Sequence, residues 1–170
     1  MLTDPIRLLC NPHSGGAPAL TTLAQLAAQL GAEEIILPCS RAASDEAVQR
    51  CAADGGTLLI CGGDGTLHGV LNALPSTERL TLGVLPGGTG NDFARTLGLP
   101  LDLEEAAAAI QAGGVRSLDL IEATTASERR VGSNVSIVGA VTELTGAIDA
   151  DLKKSLGPLA YSQALSCLLY

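Results

Sequence analysis

Three glycine-rich loops carry the residues that could do chemistry, and each follows a short apolar run. In the second loop, the run Thr57 to Cys61 leads into Gly62-Gly63-Asp64-Gly65-Thr66. Glycines after a strand let backbone N–H groups converge on an anion, and a helix that starts there adds its positive end. The loop is not a Walker loop, because no Gly-Lys-Ser/Thr follows, and His68 replaces the third glycine of the dinucleotide fingerprint. It therefore predicts a phosphate held by backbone donors and hydroxyls.

The carboxylate of this loop, Asp64, is predicted to bind Mg²⁺ or to act at the phosphate-transfer centre. Carboxylate oxygens suit Mg²⁺, and with no lysine in the turn a metal ion would supply the positive charge. His68 and Asn72 follow at four-residue intervals, so they should share a helix edge with Asp64. We expect His68 to be an ordinary residue of a polar face. The alternative for Asp64 and Thr66 is a plain turn in which both only cap the helix.

The other two loops offer further oxygen and amide groups. The first loop is Asn11-Pro12-His13-Ser14-Gly15-Gly16, which follows the first apolar run. The third loop is Pro86-Gly87-Gly88-Thr89-Gly90-Asn91-Asp92, which follows the fourth apolar run. Either loop alone could be a structural turn. Together, three glycine loops at the carboxyl ends of parallel strands lie at the same edge of a sheet, where open α/β proteins bind their ligands. They predict a site for a nucleotide phosphate.

The elements that position these loops alternate as in an α/β protein. Apolar runs predict parallel strands over residues 6–10, 34–38, 57–61 and 80–85. The pattern Leu20, Leu23, Ala27 and Leu30 predicts a first helix that ends at Gly31, and Leu67, Val70, Leu71 and Leu74 predict a helix after the second loop. A helix from Ser44 to Ala53 and an Ala-rich helix that Asp102 caps complete the set. The fold class is α/β, with a parallel sheet and flanking helices.

A change of pattern near residue 113 predicts a domain boundary. After Gly113-Gly114, Val115 to Thr124 and Arg130 to Val141 look like two longer strands joined by a polar turn, and a mostly apolar helix is expected around Gly157-Pro158. We predict a nucleotide-binding α/β domain over residues 1–113 and the start of a β-rich second domain over residues 114–170. The apolar end of the chain, Leu165 to Tyr170, favours a piece of a longer protein over a docked terminal helix.

Composition excludes several classes of function. The net charge is −8 and there are ten Lys and Arg residues among 170, which argues against nucleic acid as a main partner. The five cysteines show no close pair or metal-ligand spacing and are expected to be buried, reduced thiols. There is no secretory signal pattern and no apolar run of membrane-spanning length, so we expect a cytoplasmic protein.

The three loops, in this order and spacing, resemble the catalytic domain of diacylglycerol kinases, in the bacterial lipid kinase branch. Gly-Gly-Asp-Gly also occurs in NAD kinases and phosphofructokinases, which implies a nucleotide domain like theirs, whereas Pro86 to Ala94 is more specific to lipid kinases. The resemblance implies transfer of the γ-phosphate of ATP, with Mg²⁺, to a lipid hydroxyl of diacylglycerol or a sphingoid-like base. It also implies transient contact with a membrane and a homodimer.

The resemblance also implies roles for individual residues. Asp64 and Asp92 would be catalytic: Asp64 would act through the metal or on the reacting hydroxyl, and Asp92 would orient the phosphate loop or the acceptor. The nucleotide would contact Asn11, Ser14, Gly15, Ser40, Gly63, Asp64, Gly65, Thr66 and Thr89.

The chain departs from the family at some points. His68-Gly69 stands where many relatives have Asn-Glu, and the family's next motif is matched only loosely by Asn134 to Gly139, although Lys153 to Tyr161 fits a later segment well. Related lipid kinases are about twice as long, and their second half carries a catalytic carboxylate and a structural Mg²⁺ site. Two alternatives therefore remain open, namely an enzyme like NAD kinase and a nucleotide-binding module without catalysis.

Overall fold

The computed structural model describes residues 2–75 and 80–133. The first four strands of this part are β1 (Ile6–Cys10), β2 (Glu34–Ile36), β3 (Gly56–Gly62) and β4 (Leu80–Pro86). The helices are α1 (Leu20–Leu30), α2 (Arg41–Asp54), α3 (Asp64–Ala73), α4 (Asp92–Thr96) and α5 (Leu103–Ala112). Two further strands follow, β5 (Ile121–Thr124) and β6 (Arg129–Gly132). The helix expected around Gly157-Pro158, the end of the second long strand, Asn134 to Gly139 and Lys153 to Tyr170 lie outside the described residues.

The first four strands form one parallel sheet in the order β2-β1-β3-β4. Every residue of β1 is buried, and so are six of the seven residues of β3. Strands that are covered by helices on both faces read as continuous apolar runs, which is why both were visible in the sequence. The predicted α/β fold with a parallel sheet is confirmed.

Successive residues of β3 point to opposite faces of the sheet and divide the core into two layers. Leu58 and Ile60 belong to the layer that contains residues of α2 and α3, while Leu59 and Cys61 belong to the layer that contains residues of α1 and α5. Leu67, Val70 and Leu71 of α3 are buried, as their spacing predicted. With strands in the middle and a helix layer on each face, the carboxyl ends of β1, β3 and β4 meet at one edge.

Two predicted boundaries are wrong, and one helix was not predicted. Helix α2 begins at Arg41 rather than at Ser44, because the hydroxyl of Ser40 accepts a hydrogen bond from the Ala43 backbone N–H at 3.1 Å and caps the helix there. Strand β2 ends at Ile36, two residues before Pro38, which cannot donate to a ladder. The short helix α4 follows the third loop and was not predicted.

The hairpin pattern after residue 113 is present in shorter form. Strands β5 and β6 pair in antiparallel register from Ile121 with Gly132 to Thr124 with Arg129, but residues 115–120, predicted as strand, are not in a strand. All four residues of β5 are exposed. The boundary at residue 113 and the β-rich second domain stay predictions. Within residues 2–75 and 80–133, no helix has the length and apolar character needed to cross a bilayer.

Candidate functional site

The three glycine loops meet at the carboxyl edge of the sheet. The Asn11 backbone N–H donates to the carbonyl oxygen of Cys61 at 3.3 Å, and the Gly87 backbone N–H donates to the carbonyl oxygen of Gly62 at 3.1 Å. The first and third loops are therefore both hydrogen-bonded to the end of β3, where the second loop begins. The grouping that the sequence predicted is present.

Glycines allow these loops to touch. A Cβ atom on Gly88 would lie 2.3 Å from the Cα atom of Gly63, and one on Gly15 would lie 2.9 Å from the Oγ1 atom of Thr89. Both distances are shorter than ordinary contact. A side chain at Gly88 would force the second and third loops apart, because it meets backbone, whereas one at Gly15 would displace the hydroxyl of Thr89. Gly65 differs, because a Cβ there would meet no atom within 4 Å. Packing within the described residues does not explain the glycine at that position.

The first loop is fixed by Asn11 and leaves one polar group without a partner. The Oδ1 atom of Asn11 accepts from the His13 backbone N–H at 3.0 Å, and its Nδ2 atom donates to the Thr66 hydroxyl at 3.4 Å. The Oγ atom of Ser14 is buried and has no hydrogen-bond partner among the described residues. Buried polar groups of this kind normally have a partner, so Ser14 fits a site that receives a ligand with polar groups.

The third loop is closed on itself by Asn91. This buried residue has a backbone φ of 55°, and its side chain accepts from the Gly88 N–H at 2.9 Å and donates to the Gly88 carbonyl at 2.8 Å. Asparagine is one of the few residues with a side chain that adopts this left-handed conformation readily. It therefore sets the turn that presents Thr89 and Gly90.

Asp64 joins the second loop to the third. Its two carboxylate oxygens accept from the backbone N–H groups of Asp92 at 3.1 Å and Phe93 at 2.9 Å. Asp64 therefore caps α4, which begins 28 residues further along the chain. The alternative interpretation was that Asp64 caps its own helix, α3, and its side chain makes no such cap bond there. A Cβ on Gly90 would lie 3.2 Å from one oxygen of Asp64 and 3.7 Å from one of Asp92. The two predicted catalytic carboxylates thus flank the same glycine.

A cavity of about 250 Å³ lies on the other side of the second loop, between the ends of β1, β2 and β3. Four predicted binding residues line it, namely Asn11, Ser40, Gly65 and Thr66. Gly15, Gly63 and Thr89 lie where the loops contact one another, and Ser14 belongs to the first of these loops. A larger cavity of about 920 Å³ runs along β4 and shares none of the predicted site residues. The predicted set is gathered at one edge, and its individual binding roles stay predictions.

The cavity wall also contains two residues that the sequence analysis did not select, Arg41 and His13. The Nε atom of Arg41 donates to the Oδ1 atom of Asp45 at 2.7 Å, and its Nη2 atom donates to the carbonyl oxygen of Gly69 at 3.3 Å. The sequence feature that could have indicated Arg41 is its position directly after Ser40, a predicted nucleotide contact, with Asp45 four residues later. His68 is exposed and contacts Asn72, whose amide is bonded to the backbone of Val131 in β6.

Below the loops, Cys10 and Cys61 face each other in the register of β1 and β3 and are buried. A hydrogen bond between the two thiols, together with burial, raises the pKa of Cys61. Cys51 is also buried, whereas Cys39 is exposed, so the expectation that the cysteines are buried is wrong for Cys39. Cys167 lies outside the described residues.

The carboxylates at the sheet edge suit one mode of magnesium binding. Within the part of the chain that the structure describes, no group of three or more His, Cys, Asp or Glu side chains could hold a metal ion. Mg²⁺ in nucleotide sites takes one or two carboxylates and completes its shell with phosphate oxygens and water. The carboxylates of Asp64 and Asp92, next to glycine loops suited to phosphate, fit that mode and not a site made of protein groups alone.

Comparison with known proteins decides the family. The family model of the diacylglycerol kinase catalytic domain matches residues 5–123, which is more than half of the chain. The chain belongs to this family. The matched residues contain all three glycine loops and the helices that follow them, so the diacylglycerol kinase resemblance is confirmed.

Individual relatives agree with this assignment. The chain is 36% identical over 162 residues to a diacylglycerol kinase of Bacillus subtilis (strain 168), a match that covers 91% of the chain and 52% of that protein. It is 37% identical over 109 residues to a "probable lipid kinase YegS-like" protein of Stenotrophomonas maltophilia (strain K279a), covering 61% of the chain and 35% of that protein. A crystal structure of a diacylglycerol kinase from Bacillus anthracis str. Sterne matches 69% of the chain and 43% of its own length, with a TM-score of 0.61 and 33% identity. The chain thus spans about half the length of the Bacillus subtilis kinase.

Proposed function

We propose that this chain is the nucleotide-binding part of a lipid kinase that transfers the γ-phosphate of ATP to a lipid hydroxyl. The observation that carries the proposal is the Asp64 carboxylate, which joins the second and third glycine loops and lies beside Asp92 at the sheet edge. Membership of the diacylglycerol kinase family supports the reaction class. Diacylglycerol or a sphingoid-like base is the proposed acceptor.

The nucleotide is proposed to lie along the first and second loops. The unpaired hydroxyl of Ser14, the hydroxyl of Thr66 and the open space beside Gly65 support contact with phosphate oxygens. The amide of Asn11 orients the Thr66 hydroxyl, and Ser40 fixes the start of α2 across the cavity. Backbone N–H groups at glycine positions can approach an anion closely because no side chain intervenes.

Asp64 and Asp92 would hold Mg²⁺, which would neutralise negative charge on the nucleotide phosphates. The residues of the chain contribute positioning, which is the main requirement of phosphoryl transfer. Because Asp64 accepts from two N–H groups of α4, its carboxylate is fixed in orientation and links the second loop to the helix that follows the third. Removal of that carboxylate would therefore disturb both the reacting centre and the alignment of the loops.

The proposal also includes the acceptor, the assembly and the location of the protein. The lipid acceptor, transient membrane contact, a homodimer and a cytoplasmic location are all expected from the family. Since the chain spans about half of its diacylglycerol kinase relative, we assign most of the acceptor site, and the base that receives the hydroxyl proton, to the part of the protein beyond this chain.

The test uses the full-length protein that contains this chain and follows transfer of labelled γ-phosphate from ATP with Mg²⁺ to diacylglycerol or sphingosine in mixed micelles, with NAD offered in a separate reaction. We expect labelled lipid, no labelled NADP, and a loss of at least about a hundredfold in rate for Asp64→Asn, because a positioned charge at a transfer centre is worth several kcal/mol. Asp119→Asn, which removes an exposed carboxylate, is the matched control and should keep the rate.

Each other outcome has a defined meaning. Wild-type turnover by Asp64→Asn would refute the role of Asp64. Phosphorylation of NAD without any lipid product would favour the NAD kinase alternative. ATP binding measured by calorimetry, without transfer to either acceptor, would identify a nucleotide-binding module without catalysis.

A further inference from the structure

The second loop contains no lysine, so the positive charge that a phosphate needs must come from elsewhere. Within residues 2–75 and 80–133, Arg41 is the one lysine or arginine on the wall of the 250 Å³ cavity. Arg7 and Arg50 are paired with acidic residues away from this cavity, Arg7 with Asp54 and Arg50 with Glu34. Arg41 is thus placed to act on whatever occupies the cavity.

The guanidinium of Arg41 is held in a defined orientation by two elements. Asp45, one turn along α2, accepts from its Nε atom at 2.7 Å, and the carbonyl oxygen of Gly69 in α3 accepts from its Nη2 atom at 3.3 Å. These bonds use two of the five N–H donors of an arginine and leave three for a ligand. An arginine that a carboxylate fixes along one edge presents a rigid fork of donors along the other.

Gly69 makes room for this arrangement. A Cβ on Gly69 would lie 3.2 Å from the Nη1 atom of Arg41, so the guanidinium rests directly against the glycine backbone. Gly69 is one helical turn beyond Gly65, a rise of about 6 Å along α3. Gly65 and Thr66 line the same cavity, so the guanidinium and the loop proposed to hold phosphate border one space of about 250 Å³. A phosphate that occupies this space can contact both.

We infer that Arg41 is a nucleotide-binding residue that contacts a phosphate of ATP in the cavity that the second loop also lines. The inference rests on the proposed function, because it assigns a ligand contact within the same site. It explains how a chain of net charge −8 with no lysine in its phosphate loop can attract a polyanion. Asp45 and Gly69 act as positioning residues for the guanidinium.

The test compares the affinities of adenosine, AMP and ADP, measured by calorimetry or by displacement of a fluorescent ADP analogue, with and without Mg²⁺. We expect Arg41→Ala to weaken ADP binding about tenfold, the usual value of a charged hydrogen bond, and to change adenosine affinity about twofold or less. The ADP affinity of Arg41→Lys should lie between those of the wild type and Arg41→Ala, because lysine keeps the charge but lacks the planar set of donors. Arg50→Ala removes the same charge from the same helix outside the cavity and should keep wild-type affinities.

Unchanged ADP affinity in Arg41→Ala, alongside measurable binding by the wild type, would overturn the inference and leave the proposed function standing. An equal loss for adenosine and ADP would also overturn it, because it would identify a contact with the base or ribose. A wild-type chain that binds no adenine nucleotide would refute the proposed function itself. Circular dichroism of each variant separates these results from a failure to fold.

Discussion

Substitution of Gly65 by alanine is predicted to stabilise the protein and to weaken nucleotide binding. Gly65 is the second residue of α3, and an added Cβ would meet nothing within 4 Å. Alanine lowers the entropy of the unfolded chain and favours a helix by up to about 1 kcal/mol relative to glycine. For a domain of this size, that free energy raises Tm by about 2 to 4 °C.

Gly65 lines the cavity where the nucleotide is proposed to approach the backbone, and we expect the added methyl group to restrict that approach. We expect a loss of about tenfold or more in ADP affinity, equal to about 1.4 kcal/mol. Stability and binding should therefore change in opposite directions. Damage to the fold cannot produce that combination, so the variant reports on the ligand contact alone.

Gly88→Ala is the matched comparison, because its Cβ would lie 2.3 Å from the Cα of Gly63. The loops must separate to admit it, at a cost of about 1 to 3 kcal/mol. Thermal unfolding, followed by circular dichroism with and without ADP, measures both variants. A lower Tm for Gly65→Ala, or ADP affinity equal to that of the wild type, would refute the view that the glycine is required by the nucleotide and not by the fold.

Two further predictions concern stability. Asn91→Ala should lower the free energy of unfolding by about 2 to 3 kcal/mol, because alanine disfavours the φ of 55° and both hydrogen bonds to Gly88 are lost; an unchanged urea midpoint would contradict this. The hydrogen bond from Arg50 holds the pKa of Glu34 below its usual range, so the stabilisation exists above the unfolded pKa of about 4.3 and is lost as pH falls through the lower, folded value. Wild type should therefore have a higher Tm than Glu34→Gln at pH 7, by an amount that corresponds to about 0.5 kcal/mol for this exposed pair, and the difference should disappear by about pH 3. A Tm difference that does not change with pH would refute the role of that charge.

The parts of the fold that the sequence predicted are those decided by local pattern. Buried strands appear as continuous apolar runs, and glycine loops mark their ends. The start of α2 was wrong because Ser40 and Ser44 are both good capping residues, and tertiary packing, which the sequence pattern does not report, selects between them. Cys39 is exposed for a similar reason, since β2 ends before it.

The contacts that complete the site join residues far apart in sequence. Asp64 reaches backbone N–H groups 28 residues away, and Arg41 contacts Gly69 across two helices. Local rules interpret Asp64 as a cap of its own helix and Arg41 as a solvated helix residue. The sequence motifs therefore predicted which loops meet at the sheet edge, whereas the contacts of these two side chains depend on which helices lie next to each other.

The contact of Asp64 with α4 also restricts where an anion can bind. The first N–H groups of a helix are a natural anion site, but those of Asp92 and Phe93 are already bonded to a carboxylate of the chain itself. A nucleotide phosphate would have to displace Asp64 to use them. We therefore expect the phosphates to lie beside the first and second loops, where the hydroxyl of Ser14 is unpaired and Arg41 faces the cavity. On this arrangement the third loop holds the two carboxylates in place beside the phosphates, which separates binding of the nucleotide from the chemistry of transfer.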